Sequence, residues 1–149
     1  MIIRKAIPED AEDLKELYFK YLTNFPPQEE QNMENWRSII SKLNLADNSY
    51  LLVAVEDEKV VSSVYLTIIE NLTHNNRPFG VIENVVTHID YRNRGIASAL
   101  LNEATNIAIK HNCYKVFLET GSKNEKTLSF YQNNGFILDQ KRSCLKRLK

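Results

Sequence analysis

Apolar residues along this chain switch between two spacings, and each switch marks a change of secondary structure. Ile2–Ala6 is a short β-rich run, after which Pro8 suits the opening turn of a helix. Ala11, Leu14, Leu17, Tyr18, Tyr21 and Leu22 then recur at three and four, the period of one buried helical face. Phe25-Pro26-Pro27 breaks that helix, and Met33, Trp36, Ile40 and Leu43 trace a second amphipathic one. Tyr50–Val55 and Val60–Ile69 are β-rich, and the polar link Glu56-Asp57-Glu58-Lys59 between them is short enough for an antiparallel hairpin. Asn71–Pro78 reads as a polar loop and Gly80–Thr87 as a strand. Ile96, Leu100, Ala104, Ile107 and Ala108 give a third helix, ending near His111, and Lys115–Thr120 returns as a strand.

A strand, a helix and a strand in succession predict a right-handed parallel crossover between Gly80–Thr87 and Lys115–Thr120. Ser122-Lys123-Asn124-Glu125 suits a capping box for a short last helix, with Asn124 at its entrance. Gly135 allows that helix to stop in a left-handed conformation, and Phe136–Leu138 and Arg142–Leu148 read as two final strands. The predicted order is β-α-α-β-β-β-α-β-α-β-β. This is an α/β fold with a mixed, mostly antiparallel central sheet and helices on both faces, in a single domain spanning residues 1–149.

One junction in this order carries chemistry. Arg92-Asn93-Arg94-Gly95-Ile96-Ala97 lies between the Gly80–Thr87 strand and the helix after it. A helix N-terminus exposes unpaired N–H groups and positive potential, which together favour a phosphate. Arg92 and Arg94 bracket the turn and add two guanidinium groups. A Walker A loop needs a second glycine followed by Lys-Ser/Thr, and a dinucleotide fingerprint needs Gly-x-Gly-x-x-Gly; neither is present.

The six residues fit (Gln/Arg)-x-x-Gly-x-(Gly/Ala), the diphosphate loop of the GNAT superfamily of N-acetyltransferases. Asn124 through Phe136, with Tyr131 seven residues after Asn124 and Gly135-Phe136 beyond, resembles the same family's C-terminal signature. With both motifs in order, the chain is identified as resembling that family over nearly its whole length. The resemblance implies acetyl-coenzyme A as cosubstrate, with no metal. It implies that Val85, Val86 and Thr87 offer main-chain groups to the pantetheine arm, one amide polarising the thioester carbonyl. It also implies that Arg92, Asn93, Arg94, Gly95, Ile96 and Ala97 hold the diphosphate, and that Tyr131 is the acid protonating the departing thiolate. Asn124 either contacts the cofactor arm or only caps its helix.

For the base, Glu83 lies just before the thioester-binding segment, with Glu119 on the neighbouring strand or a water chain as rivals. The bland alternative for Glu83 is a strand carboxylate paired with a basic side chain. His88 is the weaker choice, because a lone loop histidine is ordinarily solvated. Ile89 stands where the family favours proline, Ser62-Ser63 where it favours glycine, and Ala97 replaces the second glycine.

Composition narrows the partners. Nineteen basic and nineteen acidic side chains among 149 residues cancel, which gives no support to a nucleic-acid or membrane-surface role. The apolar runs are strand-sized and the N-terminus carries no signal-peptide pattern, so the expected chain is soluble and cytoplasmic. Cys113 and Cys144 lack metal-ligand spacing and read as reduced packing residues.

Ile82–Val86 and Asn112–Lys115 look like the corresponding segments of glucosamine-phosphate N-acetyltransferases, which implies an amino sugar or another small amine as acceptor. The acceptor wall is expected from the Asn24–Gln31 connection, where Glu29 and Glu30 suit a cationic amine, from the Asn71–Phe79 loop and from the last hairpin. Phe136, Ile137, Leu138, Cys144, Leu145 and Leu148 offer an apolar edge for a homodimer. The competing function is a non-catalytic acyl-coenzyme A-binding sensor or partner module, which would need neither Tyr131 nor Glu83.

Overall fold

The computed structural model describes residues 1–23 and 30–148; Phe25-Pro26-Pro27 and Glu29 lie outside them, while Glu30 is exposed. Strand β1 (Ile2–Lys5) leads through a 3-10 turn at Pro8–Asp10 into α1 (Ala11–Tyr21). Arg4 fixes that entry with two bonds to the buried Asp10 carboxylate, 2.6 and 2.9 Å, while Ile7 N–H donates to the same group at 2.8 Å. Helix α2 (Met33–Leu45) starts where Asn32 accepts from the Glu34 and Asn35 amides at 3.0 and 3.3 Å.

Strands β2 (Ser49–Glu56) and β3 (Lys59–Ile69) form the expected hairpin. Its two central residues, Asp57 and Glu58, both take positive φ (49° and 64°), the requirement of a tight turn that matches strand twist. A four-residue helical turn, α3 (Thr73–Asn76), occupies the segment expected as loop, with left-handed His74 and Asn75 inside it. Strand β4 (Phe79–Thr87), helix α4 (Ile96–Lys110), strand β5 (Val116–Leu118) and helix α5 (Glu125–Asn133) follow.

The sheet order is β1-β2-β3-β4-β5, antiparallel except for β4 with β5. Helices α1 and α2 cover one face through Leu14, Leu17, Ile40, Val53 and Val60. On the other face α4 buries Leu100, Leu101 and Ala104 against Leu52, Val64, Leu66 and Ile82, and Tyr131 of α5 joins that cluster. Among the described residues no helix is long and apolar enough to cross a membrane.

Two expectations need correction. The strand predicted over Lys115–Thr120 is paired only from Val116 to Leu118. The two final strands do not form among the described residues. A strand exists through its pairing rather than its apolar content. Phe136 and Leu138 instead turn inward against the α4-side cluster, and Asp139, at φ 55°, ends the extension. From there to Leu148 every residue is exposed, Lys141, Arg142, Lys146 and Arg147 included, so no apolar face is available to hold a ladder in register.

Gly80 sets how closely β4 and β5 approach. A Cβ there would lie 2.8 Å from Val116 Cγ1 and 3.0 Å from Leu66 Cδ1. Gly80→Val is therefore expected to cost about 1–3 kcal/mol through overpacking. Urea denaturation checks this: the midpoint should fall at unchanged m-value, and an unmoved midpoint would contradict the close approach.

Candidate functional site

Strands β4 and β5 pair at Gly80↔Val116, Val81↔Phe117 and Ile82↔Leu118, and pairing then stops. The strands separate at Glu83 and Glu119. On its other side β4 stays joined to β3, but the register jumps from Tyr65↔Glu83 to Ser63↔Val86. Asn84 and Val85 thus oppose the single residue Val64, a β-bulge, and Asn84 takes φ 53° to make it. Asparagine tolerates that left-handed conformation better than the β-branched residues around it.

The bulge inverts the alternation of the strand. Ile82 packs on the α4 side, whereas Val86, four residues on, packs on the α1 side. Main-chain directions follow. Val86 O accepts from Ser62 Oγ at 2.7 Å and His88 N–H donates to Val61 O at 2.9 Å, so both point toward β3. Val85 and Thr87 alternate with them and present their main chain to the opening.

Beyond Thr87 the chain makes a 3-10 turn at Ile89–Tyr91, capped by His88, whose Nδ1 accepts from Asp90 N–H at 3.3 Å. The neutral ring then carries its proton on Nε2 and donates to Tyr21 Oη at 3.0 Å. His88 is occupied at both nitrogens as a cap and as a tether to α1.

Asn93 (φ 60°) and Gly95 (φ 76°) then turn the chain into α4, which has no side-chain cap. The main-chain N–H groups from Asn93 to Ser98 meet no acceptor among the described residues, while Ile96, 3% exposed, anchors the turn in the core. Arg92 and Arg94 flank this turn as the sequence implied, but each is already held. Arg92 Nε donates to Thr87 O at 3.1 Å; Arg94 pairs with Glu56 at 3.1 Å and lies 5.0 Å from the Tyr91 ring.

The carboxylates at the separation point differ. Glu119 accepts from Ser143 Oγ at 2.9 Å, whereas Glu83 is exposed and has no hydrogen bond or ion pair among the described residues. The basic partner entertained for Glu83 is absent there. Tyr131 is 7% exposed, wedged edge-on between Phe130 and Phe136 in the cluster that includes Ile82. Burial pushes its phenol pKa up, and no described residue hydrogen-bonds its hydroxyl, whose oxygen is not sealed from solvent.

Asn124 caps α5, accepting from Lys126 N–H at 2.8 Å, while Ser122 Oγ accepts from Asn124 N–H at 3.2 Å in place of the capping box expected of that segment. No group of three or more potential metal ligands occurs among the described residues. A depression bounded by Asp13, Glu16, Lys59 and Asp90 lies on the α1 side and includes neither Glu83 nor Tyr131.

A model of the acetyltransferase (GNAT) family matches residues 11–136. The chain belongs to this family. Among sequence relatives, glucosamine 6-phosphate N-acetyltransferase of Trypanosoma brucei brucei is 37% identical over 52% of this chain, and the match spans only 51% of that relative. Glucosamine 6-phosphate N-acetyltransferase 1 of Dictyostelium discoideum is 25% identical over 87% of this chain and 82% of its own. A solved structure from Agrobacterium tumefaciens str. C58, provisionally described as an acetyltransferase, superposes with a TM-score of 0.88 at 31% identity, over 99% of this chain and 100% of that one.

Within this GNAT chain, Ser62 and Ser63 have a use that their residue type alone does not reveal. Both are fully buried. Ser62 donates to Val86 O and, its proton spent, accepts from Thr87 Oγ1 at 2.8 Å. Ser63 meets Tyr18 of α1 at 3.0 Å. A glycine at 62 would supply neither bond, and the bulged end of β4 would be held to β3 by its main-chain pairing alone. Asn84 also went unread in the sequence, although a strand-averse residue inside Val81–Thr87 is the ordinary signal of a bulge.

Ser62→Ala leaves a buried carbonyl and a hydroxyl each short of a partner, and the expected cost is about 1–3 kcal/mol. The unfolding free energy from denaturant titration checks this. Stability equal to wild type would show that water replaces the hydroxyl and that the attachment is dispensable.

Proposed function

We propose that this chain is an N-acetyltransferase moving the acetyl group of acetyl-coenzyme A to the primary amine of a small acceptor, an amino sugar in the first instance, by direct attack in a ternary complex. The observation that carries this reading is the β4–β5 opening. Main-chain groups of Val85 and Thr87 without a strand partner and the Glu83 carboxylate, unpaired among the described residues, lie where β4 and β5 separate; a run of unsatisfied amides follows in the turn into α4, and the buried Tyr131 joins the same cluster as Ile82.

The residues fit the cosubstrate. Amides from Asn93 to Ala97, with Arg92 and Arg94, form a donor set for a diphosphate, and the left-handed Gly95 leaves space where a Cβ would meet nothing within 4 Å. Val85, Val86 and Thr87 form the strand that the pantetheine arm would extend, with Val85 and Thr87 turned toward it. Asn124, committed to its helix through Oδ1, retains an amide nitrogen for the same arm. Acetyl-coenzyme A supplies an activated thioester when bound.

Glu83 takes the proton of the acceptor ammonium; its lack of any partner leaves it available, whereas Glu119 is shared with Ser143. Val85 N–H is the donor nearest the bulge for a developing oxyanion. Tyr131 keeps its proton at neutral pH and gives it to the departing sulfur. Neither cysteine suits a covalent route, because burial raises the Cys113 thiol pKa and Cys144 lies in the exposed tail. The amino-sugar acceptor is supported by the names of the Trypanosoma and Dictyostelium relatives.

The exposed apolar side chains of Ile137, Leu145 and Leu148 in the C-terminal segment support a homodimer, without the edge strands first expected there. Light scattering at micromolar concentration should give twice the monomer mass, and a monomer mass would refute it.

Thiol release with acetyl-coenzyme A and a panel of amines tests the activity itself. Under chemistry-limited conditions Tyr131→Phe should lower turnover by ~10²-fold. Because burial raises the Tyr131 pKa, the wild-type alkaline limb should lie above the ordinary phenol value of about 10 and vanish in the variant. Glu83→Gln should depress the rate most at low pH, where the acceptor is mainly ammonium. Wild-type turnover in Tyr131→Phe would refute the acid role. Binding of acetyl-coenzyme A without transfer to any amine would favour the non-catalytic module.

A further inference from the structure

Tyr65 stands directly opposite Glu83 in the β3–β4 ladder, so the two side chains share one face of the sheet. That face is the α1 side: Tyr65 packs against the cluster of Leu14, Leu17 and Val53, while its chain neighbours Val64 and Leu66 belong to the α4-side cluster. Tyr131 belongs to the α4-side cluster as well. The carboxylate and the buried phenol of the opening therefore lie on opposite faces of the sheet, and the gap between β4 and β5 is the passage from one to the other. Tyr131 and the turn into α4 occupy one face. The α1 side, where Glu83 is exposed, is left for an acceptor.

Three tyrosines pack against the α1-side cluster. The Tyr18 hydroxyl meets Ser63 at 3.0 Å and the Tyr21 hydroxyl meets His88 at 3.0 Å, so both are engaged. Tyr65 differs. Its ring is half-buried, yet its hydroxyl has no hydrogen bond among the described residues, and the oxygen is not sealed from solvent. Directly opposed residues of an antiparallel pair have Cβ atoms roughly 4.5–5.5 Å apart, which makes this phenol and the Glu83 carboxylate neighbours. No hydrogen bond joins them, so both remain available to a third group. In packing terms phenylalanine would serve as well as Tyr65, since the hydroxyl has no internal partner. A hydroxyl on a packed ring loses little freedom on binding, and its oxygen can accept a hydrogen bond as well as donate one.

We infer that Tyr65 is a second contact for the acceptor amine: its hydroxyl oxygen accepts one N–H of that amine while Glu83 takes a proton from it. This rests on the acetyl-transfer reading, with Glu83 as base. An ammonium that becomes an amide loses two protons and keeps one N–H. The first proton passes to Glu83, and the electron pair it leaves on nitrogen forms the C–N bond. The second leaves nitrogen as the C–S bond breaks with its pair on sulfur; through water it replaces the proton that Tyr131 gives to that sulfur. The N–H that stays is the one Tyr65 holds. Holding it fixes the rotation of the amine, so that the electron pair faces the thioester carbon.

Tyr65→Phe removes the hydroxyl and keeps the ring. Its unfolding midpoint and its affinity for acetyl-coenzyme A should match wild type, because no internal bond is lost. With glucosamine 6-phosphate as acceptor, kcat/KM should fall by ~10- to 100-fold, the worth of a hydrogen bond to a charged group.

Calorimetric titration of the protein with coenzyme A reads the same contact without turnover. Glucosamine 6-phosphate carries the amine and 2-deoxyglucose 6-phosphate lacks it. Tyr65→Phe should weaken the first by a similar factor and leave the second unchanged, whereas a merely structural role would weaken both alike. Amine-selective binding that depends on Tyr65, with no acetyl transfer, would uphold the contact and overturn the acetyltransferase reading. Transfer with kcat/KM unchanged in Tyr65→Phe, or an equal loss for both sugars, would overturn the contact and leave that reading standing. Neither binding nor transfer would overturn both.

Discussion

Three parallel pairs hold β4 to β5, and everything proposed for this chain depends on their stopping at Ile82 and Leu118. A longer ladder would take up the Val85 main chain and the Thr87 N–H and leave nothing for a ligand to pair with. A shorter one would detach β5 and its helix from the core. Gly80 permits the close approach at the start of the ladder, and the bulge at Asn84 redirects β4 beyond its end. The sheet is closed where stability needs it and open where chemistry would need it.

An open strand end is a liability unless something holds it in place. Ser62 and Thr87 tie the end of β4 to β3, and Arg92 holds Thr87 O from the other side. Glu56 restrains Arg94 from the β2–β3 hairpin. Such contacts lower the entropy lost when a ligand adds itself to the strand, because the receiving residues are ordered beforehand. They also explain how the serines fit this chain: they link the conformation of the opening to α1 through Ser63 and Tyr18.

Most of the fold was legible because its signals are local. The hairpin at Asp57-Glu58, the helical faces of α1, α2 and α4, and the left-handed stop at Gly135 each follow from a few adjacent residues. The Arg92–Ala97 turn was legible for the same reason. What the sequence did not reveal depends on partners distant along the chain. Arg142–Leu148 has strand-like content but no edge to pair with, and β5 ends where β4 diverges from it. The freedom of Glu83 and the double commitment of His88 are likewise properties of what surrounds a side chain, not of its position in a motif.

The central claim is that the β4–β5 opening and the turn after it form one continuous acetyl-coenzyme A site. Amide-resolved NMR during titration with acetyl-coenzyme A tests it most directly. Residues 83–87 and 92–98 should shift together on a single binding curve, with α5 around Asn124 and Tyr131 following. Saturable binding that instead perturbed the depression near Asp13, Glu16 and Lys59, and left Val85 and Thr87 unmoved, would contradict the account.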